Sequence, residues 1–170
     1  MDQKLILING NKGSGRKTVG ELLYRNLQNA SWIHHSWLNC CKNAEIERIK
    51  KEELFFTHLP LILNKYINCR IENIIVTGGI HTQEQFDLII KTLPSCIVPK
   101  YFWLNIDDDI RSQRLVSRGR DVEDSLNSVA RIIQDETLLP PKLQVANNQF
   151  YSFNSNIGAE SLMTQIIKAL

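Results

Sequence analysis

The sequence predicts an α/β fold, a parallel sheet with helices packed on both faces. Three observations carry this expectation. Short, almost wholly apolar runs recur along the chain, as in strands buried on two sides. Between them lie segments whose apolar residues return every three or four positions, the period of a helix. The two kinds of segment alternate from end to end, as parallel strands require, because each needs a crossover connection. With 170 residues, 43% of them apolar, the chain matches the size of one domain and is read as such over 1–170.

The elements follow in order. Residues 4–8 (KLILI) form a buried strand ending at Asn9-Gly10. From Thr18 the period changes, and Val19, Leu22, Leu23 and Leu27 mark one helix face. Residues 31–38 (SWIHHSWL) read as a second strand. Residues 43–56 read as a charged helix, and Pro60 is placed in the first turn of another, where its missing N–H is harmless. Residues 74–77 (IIVT) are a buried strand closed by Gly78-Gly79. Phe86, Ile89, Ile90 and Leu93 then give a helical face before Pro94.

A fourth strand spans 101–106, and Asp107, Asp108 and Asp109 are placed to cap the helix that follows, since carboxylates suit its free N–H groups and dipole. Val122, Leu126, Val129 and Ile133 form another stripe, stopped by Pro140-Pro141. A last strand near 150–153 precedes a helix carrying Leu162, Ile166 and Leu170.

Composition excludes several function classes. Twenty Lys plus Arg stand against eighteen Asp plus Glu, a net charge of +2. That is too even for a dedicated nucleic-acid binder, whose affinity rests on a basic excess. No apolar run is long enough for a membrane span, and MDQKLILING lacks the layout of a secretory signal. Cys40, Cys41, Cys69 and Cys96 form no C-x-x-C pair and have no metal-ligand spacing with the histidines, so they are read as reduced thiols. The expectation is a cytoplasmic protein that binds neither nucleic acid nor membrane.

The chemistry concentrates in residues 10–18, GNKGSGRKT. They follow a buried strand and open a helix, the setting of a phosphate-binding loop. Gly10, Gly13 and Gly15 let the main chain form an amide-lined concavity, and the helix N-terminus adds partial positive charge there. Ser14, Arg16, Lys17 and Thr18 complete the candidate phosphate set. A second cluster is Arg111, Arg114 and Arg118, spaced to line one helix face. His34 and His35 fall at the carboxyl edge of the sheet, where ligands of open α/β sheets bind. For them an acceptor contact and a plain half-buried pair both stay open. Trp32, Trp37 and Trp103 are assigned to packing.

The loop resembles the Walker A loop of P-loop kinases, most nearly the adenylate-kinase form G-x-x-G-x-G-K-G-T, with Arg16 in the place of the lysine. Residues 77–85 (TGGIHTQEQ) are similar to that family's D-G-F-P-R-T-x-x-Q. Gly78, Thr82 and Gln85 agree, whereas Thr77 replaces a metal-ordering Asp and His81 an acceptor-side Arg. Residues 114–118 match its R-x-x-x-R. The resemblance implies a three-layer P-loop NTPase fold with a five-stranded parallel sheet in the order 2-3-1-4-5. It implies ATP with Mg²⁺ as donor and Thr18 as the metal-side hydroxyl.

By the same resemblance Arg114 stacks on the base, and Arg118 and Arg120 clamp the transferred phosphoryl group with Arg16 and Lys17. Arg131 approaches from a short lid, and residues 154–158 border the adenine. His34, His35, Thr77 and His81 then fall on the acceptor side. Two functional readings follow: a phosphotransferase acting on a nucleoside monophosphate or another small acceptor, or a catalytically weak relative that keeps the nucleotide site. The retained arginines favour the first; Arg16 and Thr77 favour the second, since guanidinium is a planar fork and not lysine's compact charge.

Overall fold

The computed structural model describes residues 3–38, 48–117 and 149–170. Five strands form one parallel sheet: β1 (Lys4–Gly10), β2 (Ala30–His34), β3 (Asn73–Thr77), β4 (Val98–Asn105) and β5 (Phe150–Asn154). Their spatial order, β2-β3-β1-β4-β5, is the one the resemblance implies. Central β1 feeds two cores at once. Leu5 and Leu7 enter one, Ile6 and Ile8 the other, none more than 1% exposed. Burial on both faces is why this run carries no polar alternation.

Helices α3 (Arg48–Asn68) and α4 (Gln83–Ile90) cover the first core; α1 (Arg16–Asn26) and α6 (Ala159–Ala169) cover the second. Two further helices, α2 (His35–Leu38) and α5 (Asp108–Val116), start at the carboxyl ends of β2 and β4. That edge gathers the candidate site, as the crossover topology of an open sheet requires.

Several elements depart from the sequence expectation. The second strand stops at His34, and residues 35–38 turn into helix. Its partner explains why: His34 pairs with Thr77, after which Gly78 and Gly79 carry β3's chain away, leaving nothing for His35 to pair with. Pro60 lies inside α3 and does not begin a new helix. Phe55, Leu59 and Leu63 form a buried stripe at four-residue spacing around it. Each contributes about 1.5–3 kcal/mol on burial, which together outweighs the ~3 kcal/mol cost of an internal proline.

The first helix begins at Arg16, two residues before Thr18, and the face ending at Leu93 is helical only to Ile90. Asp107 holds the N-cap position of α5 without a side-chain capping bond; its carboxylate accepts instead from Asn156 Nδ2 at 2.7 Å. The stripe from Val122 to Ile133, the helix start at residue 43, Cys40 and Cys41 lie outside the described residues. Cys69 and Cys96 are exposed free thiols.

Candidate functional site: a glycine-rich loop between two groups of side chains

Residues 11–15 connect β1 to α1. The turn is held by Ser14 N–H donating to Asn11 O at 3.0 Å, and the first helical bond runs from Val19 N–H to Gly15 O at 2.9 Å. The amides of Lys17 and Thr18 precede that bond and therefore point out of the helix end, toward any anion placed there. Two glycines are dictated by geometry. Gly15 is the N-cap in left-handed conformation, φ 88°. A Cβ on Gly10 would meet the Leu104 carbonyl oxygen at 2.6 Å. Lys17 and Thr18 are exposed, whereas Ser14 is buried and its hydroxyl has no partner among the described residues.

Arg16 folds back over the root of the loop. Its Nη1 donates to Gly10 O at 2.6 Å and to Asn9 Oδ1 at 3.1 Å. Asn9, 1% exposed, organises this corner. Its Oδ1 also accepts from Gly10 N–H at 3.0 Å, while its Nδ2 donates to Ile80 O and lies 3.3 Å from His81 Nδ1. Ile80 O accepts from Tyr101 Oη as well, at 2.6 Å. One buried carboxamide thus ties the loop's cation to the segment after β3.

On the other side of the loop, a slot of about 200 Å³ is lined by Ser14, Gly15, Thr18, Val19, Arg114, Ser155, Ala159 and Leu162. Arg114 Nη2 donates to Ser155 O at 2.9 Å and so spans the slot between α5 and the turn after β5. Ser155 is fixed in turn by donating to Asn105 O at 2.6 Å. The slot has apolar walls from α1 and α6 and one planar cation, and it opens onto the loop.

Beyond Arg16 lie the histidines. His34 Nδ1 is 3.0 Å from both the carbonyl and the hydroxyl oxygen of Thr77. A carbonyl only accepts, so Nδ1 carries the proton. The Thr77 hydroxyl accepts from Trp32 Nε1 at 3.0 Å and donates to Ile33 O at 3.4 Å. Burial, and then the charges of Arg16 and Lys17, hold His34 below its usual range against the pull of the Thr77 carbonyl. His35 lies lower still, at about 4, through burial and the Arg16 charge. Its Nδ1 side faces Gly78 so closely that a Cβ there would stand 2.9 Å away.

The structure therefore brings together Gly10, Gly13, Ser14, Gly15, Arg16, Lys17 and Thr18, with Arg114 and residues 154–158 on one side and His34, His35 and His81 on the other. Thr77 is not at the surface: it is 0% exposed, sealed beneath α1. Trp32, assigned to packing, is Thr77's hydrogen-bond donor as well. Thr82 and Gln85, shared with the resembled motif, form a reciprocal capping box on α4. Arg118, Arg120 and Arg131 lie outside the described residues.

Two residues without an assigned role turn out to shape the site. Asn9 reads in sequence as the mere end of a strand. Arg111 is 0% exposed, and its Nε donates to Lys12 O at 3.0 Å, bracing the loop from behind. Its spacing from Arg114 was the available signal.

No protein-family model matches the chain, and no curated protein sequence matches it. Solved structures do match. An APS kinase from Mycobacterium tuberculosis, solved with AMPPNP and APS, is similar over 98% of this chain and 96% of its own, at 17% identity and a TM-score of 0.68. A gluconokinase from Sinorhizobium meliloti is similar over 96% and 89%, at 13% identity and 0.67. A shikimate kinase from Bacteroides thetaiotaomicron is similar over 98% and 97%, at 16% identity and 0.61. The chain has the three-layer α/β fold of P-loop kinases.

Proposed function

We propose that this chain binds a nucleoside triphosphate across the loop and transfers its terminal phosphoryl group to a small-molecule acceptor. The observation that carries this reading is the continuity of slot and loop. Arg114, bonded to Ser155 O, walls a cavity that opens onto the amides of the α1 N-terminus. A planar base in the slot and phosphates on the loop are then held at once. Arg114 stacks on the base, the Lys17 and Thr18 amides face the phosphates, and Arg16 and Lys17 supply charge. A hydroxyl oxygen of the acceptor, arriving from the side of His34, His35 and His81, attacks the γ-phosphorus while the bond from that phosphorus to the diphosphate oxygen breaks, the diphosphate leaving on the loop and the hydroxyl proton passing to solvent. Positioning and charge stabilisation are most of what such a transfer needs. Arg118, Arg120 and Arg131 remain the proposed lid-side clamp. The resemblance to the adenylate-kinase type, with a degenerate Walker A loop and a cytoplasmic location, belongs to the same proposal; no described helix is long and apolar enough to cross a membrane.

The metal side departs from the expected pattern. Magnesium favours oxygen ligands, commonly one or two carboxylates besides phosphates and water. Thr18 supplies one hydroxyl, Thr77 is sealed, and no group of three His, Cys, Asp or Glu able to hold a metal occurs among the described residues. These residues do not fit a resident metal site. That favours a second reading, nucleotide binding with little or no transfer. Radiolabelled ATP and a panel of nucleoside monophosphates, sugars and small alcohols decide between them. Labelled product that disappears in Arg16→Ala supports transfer; saturable ATP binding without product on any acceptor supports the second reading.

A further inference from the structure

We propose that His34 is the general base of the transfer and that the acceptor it serves is an alcohol, not a phosphate. This rests on the phosphotransferase reading above. A phosphate monoester loses its second proton near pH 6, at about the reference value for phosphorylated side chains, so its oxygen attacks without help. An alcohol keeps its proton until it attacks. A positioned side chain that takes that proton in the transition state speeds the step by about 10²–10⁴.

The fold fixes both the tautomer and the place of the imidazole. Nδ1 donates to the Thr77 carbonyl at 3.0 Å, which leaves the lone pair on Nε2. Two rings of α2 meet His34 edge-on, His35 with centroids 5.1 Å apart and Trp37 at 6.0 Å. The ring also stands beside the loop. His34 pairs with Thr77 across the sheet, and Thr77 with Ile8, whose strand runs on into the loop. The interval is two strand spacings, about 10 Å. Arg16 bridges it: a Cβ on Gly78, the residue after Thr77, would lie 3.6 Å from Arg16 Cζ.

Among the described residues the titratable groups facing His34 are Arg16 and Lys17 of α1 and His35 of α2. Its neighbours Thr77 of β3 and Trp32 of β2 are neutral. Burial and the two cations keep the imidazole uncharged at neutral pH, the form that can accept a proton. A bound triphosphate offsets those cations with negative charge and so favours the imidazolium. The base therefore strengthens once the donor is in place. In the transfer a lone pair of the acceptor oxygen forms the bond to the γ-phosphorus, and the proton of that hydroxyl goes to the lone pair of Nε2. The bond from the γ-phosphorus to the diphosphate oxygen breaks, its electron pair leaving on the diphosphate. Nε2 then releases the proton to solvent.

The test is transfer from radiolabelled ATP by the whole chain, with small alcohols and sugars in one arm and nucleoside monophosphates in the other. Labelled product is expected from an alcohol or sugar. His34→Asn keeps a donor for the Thr77 carbonyl but no base, and should lower kcat about 10²–10⁴-fold while AMPPNP affinity holds. The parent's kcat should fall at low pH as His34 protonates, and the variant's should not. Undiminished alcohol product in His34→Asn, a loss that leaves the pH profile unaltered, or product from nucleoside monophosphates alone overturns the proposal and leaves the phosphotransferase reading standing. No product from any acceptor overturns both. Should His34→Asn not fold, NMR titration of the His34 ring in the parent decides. Its pKa is expected to rise when AMPPNP binds, and an unmoved value overturns the assignment.

Discussion

Replacing Asn9 by leucine removes the carboxamide that, among the described residues, joins the loop after β1 to the segment after β3, at nearly constant volume. Four hydrogen bonds are lost, to Ile80 O, His81 Nδ1, Gly10 N–H and Arg16 Nη1, and they do not weigh equally. Ile80 O keeps the Tyr101 hydroxyl, and Arg16 keeps Gly10 O. Gly10 N–H, however, is buried and loses its acceptor, Asn9 Oδ1. A stranded buried donor costs about 1–3 kcal/mol, so that group should dominate. For a domain of this size each kcal/mol lowers the melting midpoint by about 2–4 °C, an expected fall of about 2–12 °C. Urea denaturation gives the free energy directly, and the slope should not change, because the surface exposed on unfolding is the same. AMPPNP affinity should weaken too, since Arg16 loses its orienting partner. An Asn9→Leu protein within about 0.5 kcal/mol of the parent, the scatter of neutral surface changes, would show that the carboxamide does not organise the loop.

Further outcomes follow from the same geometry. Gly20→Ala forces a methyl into Thr77 and Trp32 and should destabilise by about 1–3 kcal/mol; an unchanged denaturation midpoint would mean α1 does not rest on that cluster. Arg114→Ala removes a wall of the slot, so AMPPNP binding should weaken in calorimetric titration, and it removes the charged hydrogen bond to Ser155 O, so thermal melting should show a loss of up to about 1.5–3 kcal/mol; unchanged binding would count against the slot as the base site. His35 is held at about 4 in the folded state against 6.5 for the free group. Its unfolded form therefore binds the extra proton in that interval, and stability should fall as pH drops from about 6.5 toward 4. His35→Gln should flatten that part of the stability profile, and an unaltered profile would count against the assignment.

The sheet was largely legible because strands buried on both faces must be apolar throughout. β1 and β3 appear in the sequence as runs with no polar break, and the glycines that end them appear as turns. Elements governed by tertiary packing were not. Nothing local distinguishes His35 from the strand before it; the strand stops because β3, 43 residues away at the Thr77 pairing partner, turns off through Gly78. Pro60 signals a helix start, and only the buried stripe of Phe55, Leu59 and Leu63 overrides it.

In the site, the loop was readable from glycine spacing and charge, because an amide-lined cradle at a helix start admits few residue types. The work of Asn9 and Arg111 was not readable, since each reaches across the fold to a main-chain carbonyl, that of Ile80 and that of Lys12, which carries no sequence label. For Thr77, substitution was visible but sealing was not: it depends on Trp32 and His34 of β2 and Gly20 of α1 converging on β3.

The most direct test of the nucleotide site is an amide-resolved NMR titration of the isotopically labelled chain with AMPPNP. The account predicts saturable shifts that cluster at Gly13–Thr18, Arg114 and Ser155, with the Arg114 side-chain signals moving as the slot fills. Saturable shifts elsewhere on the molecule, or none at any concentration, would contradict it.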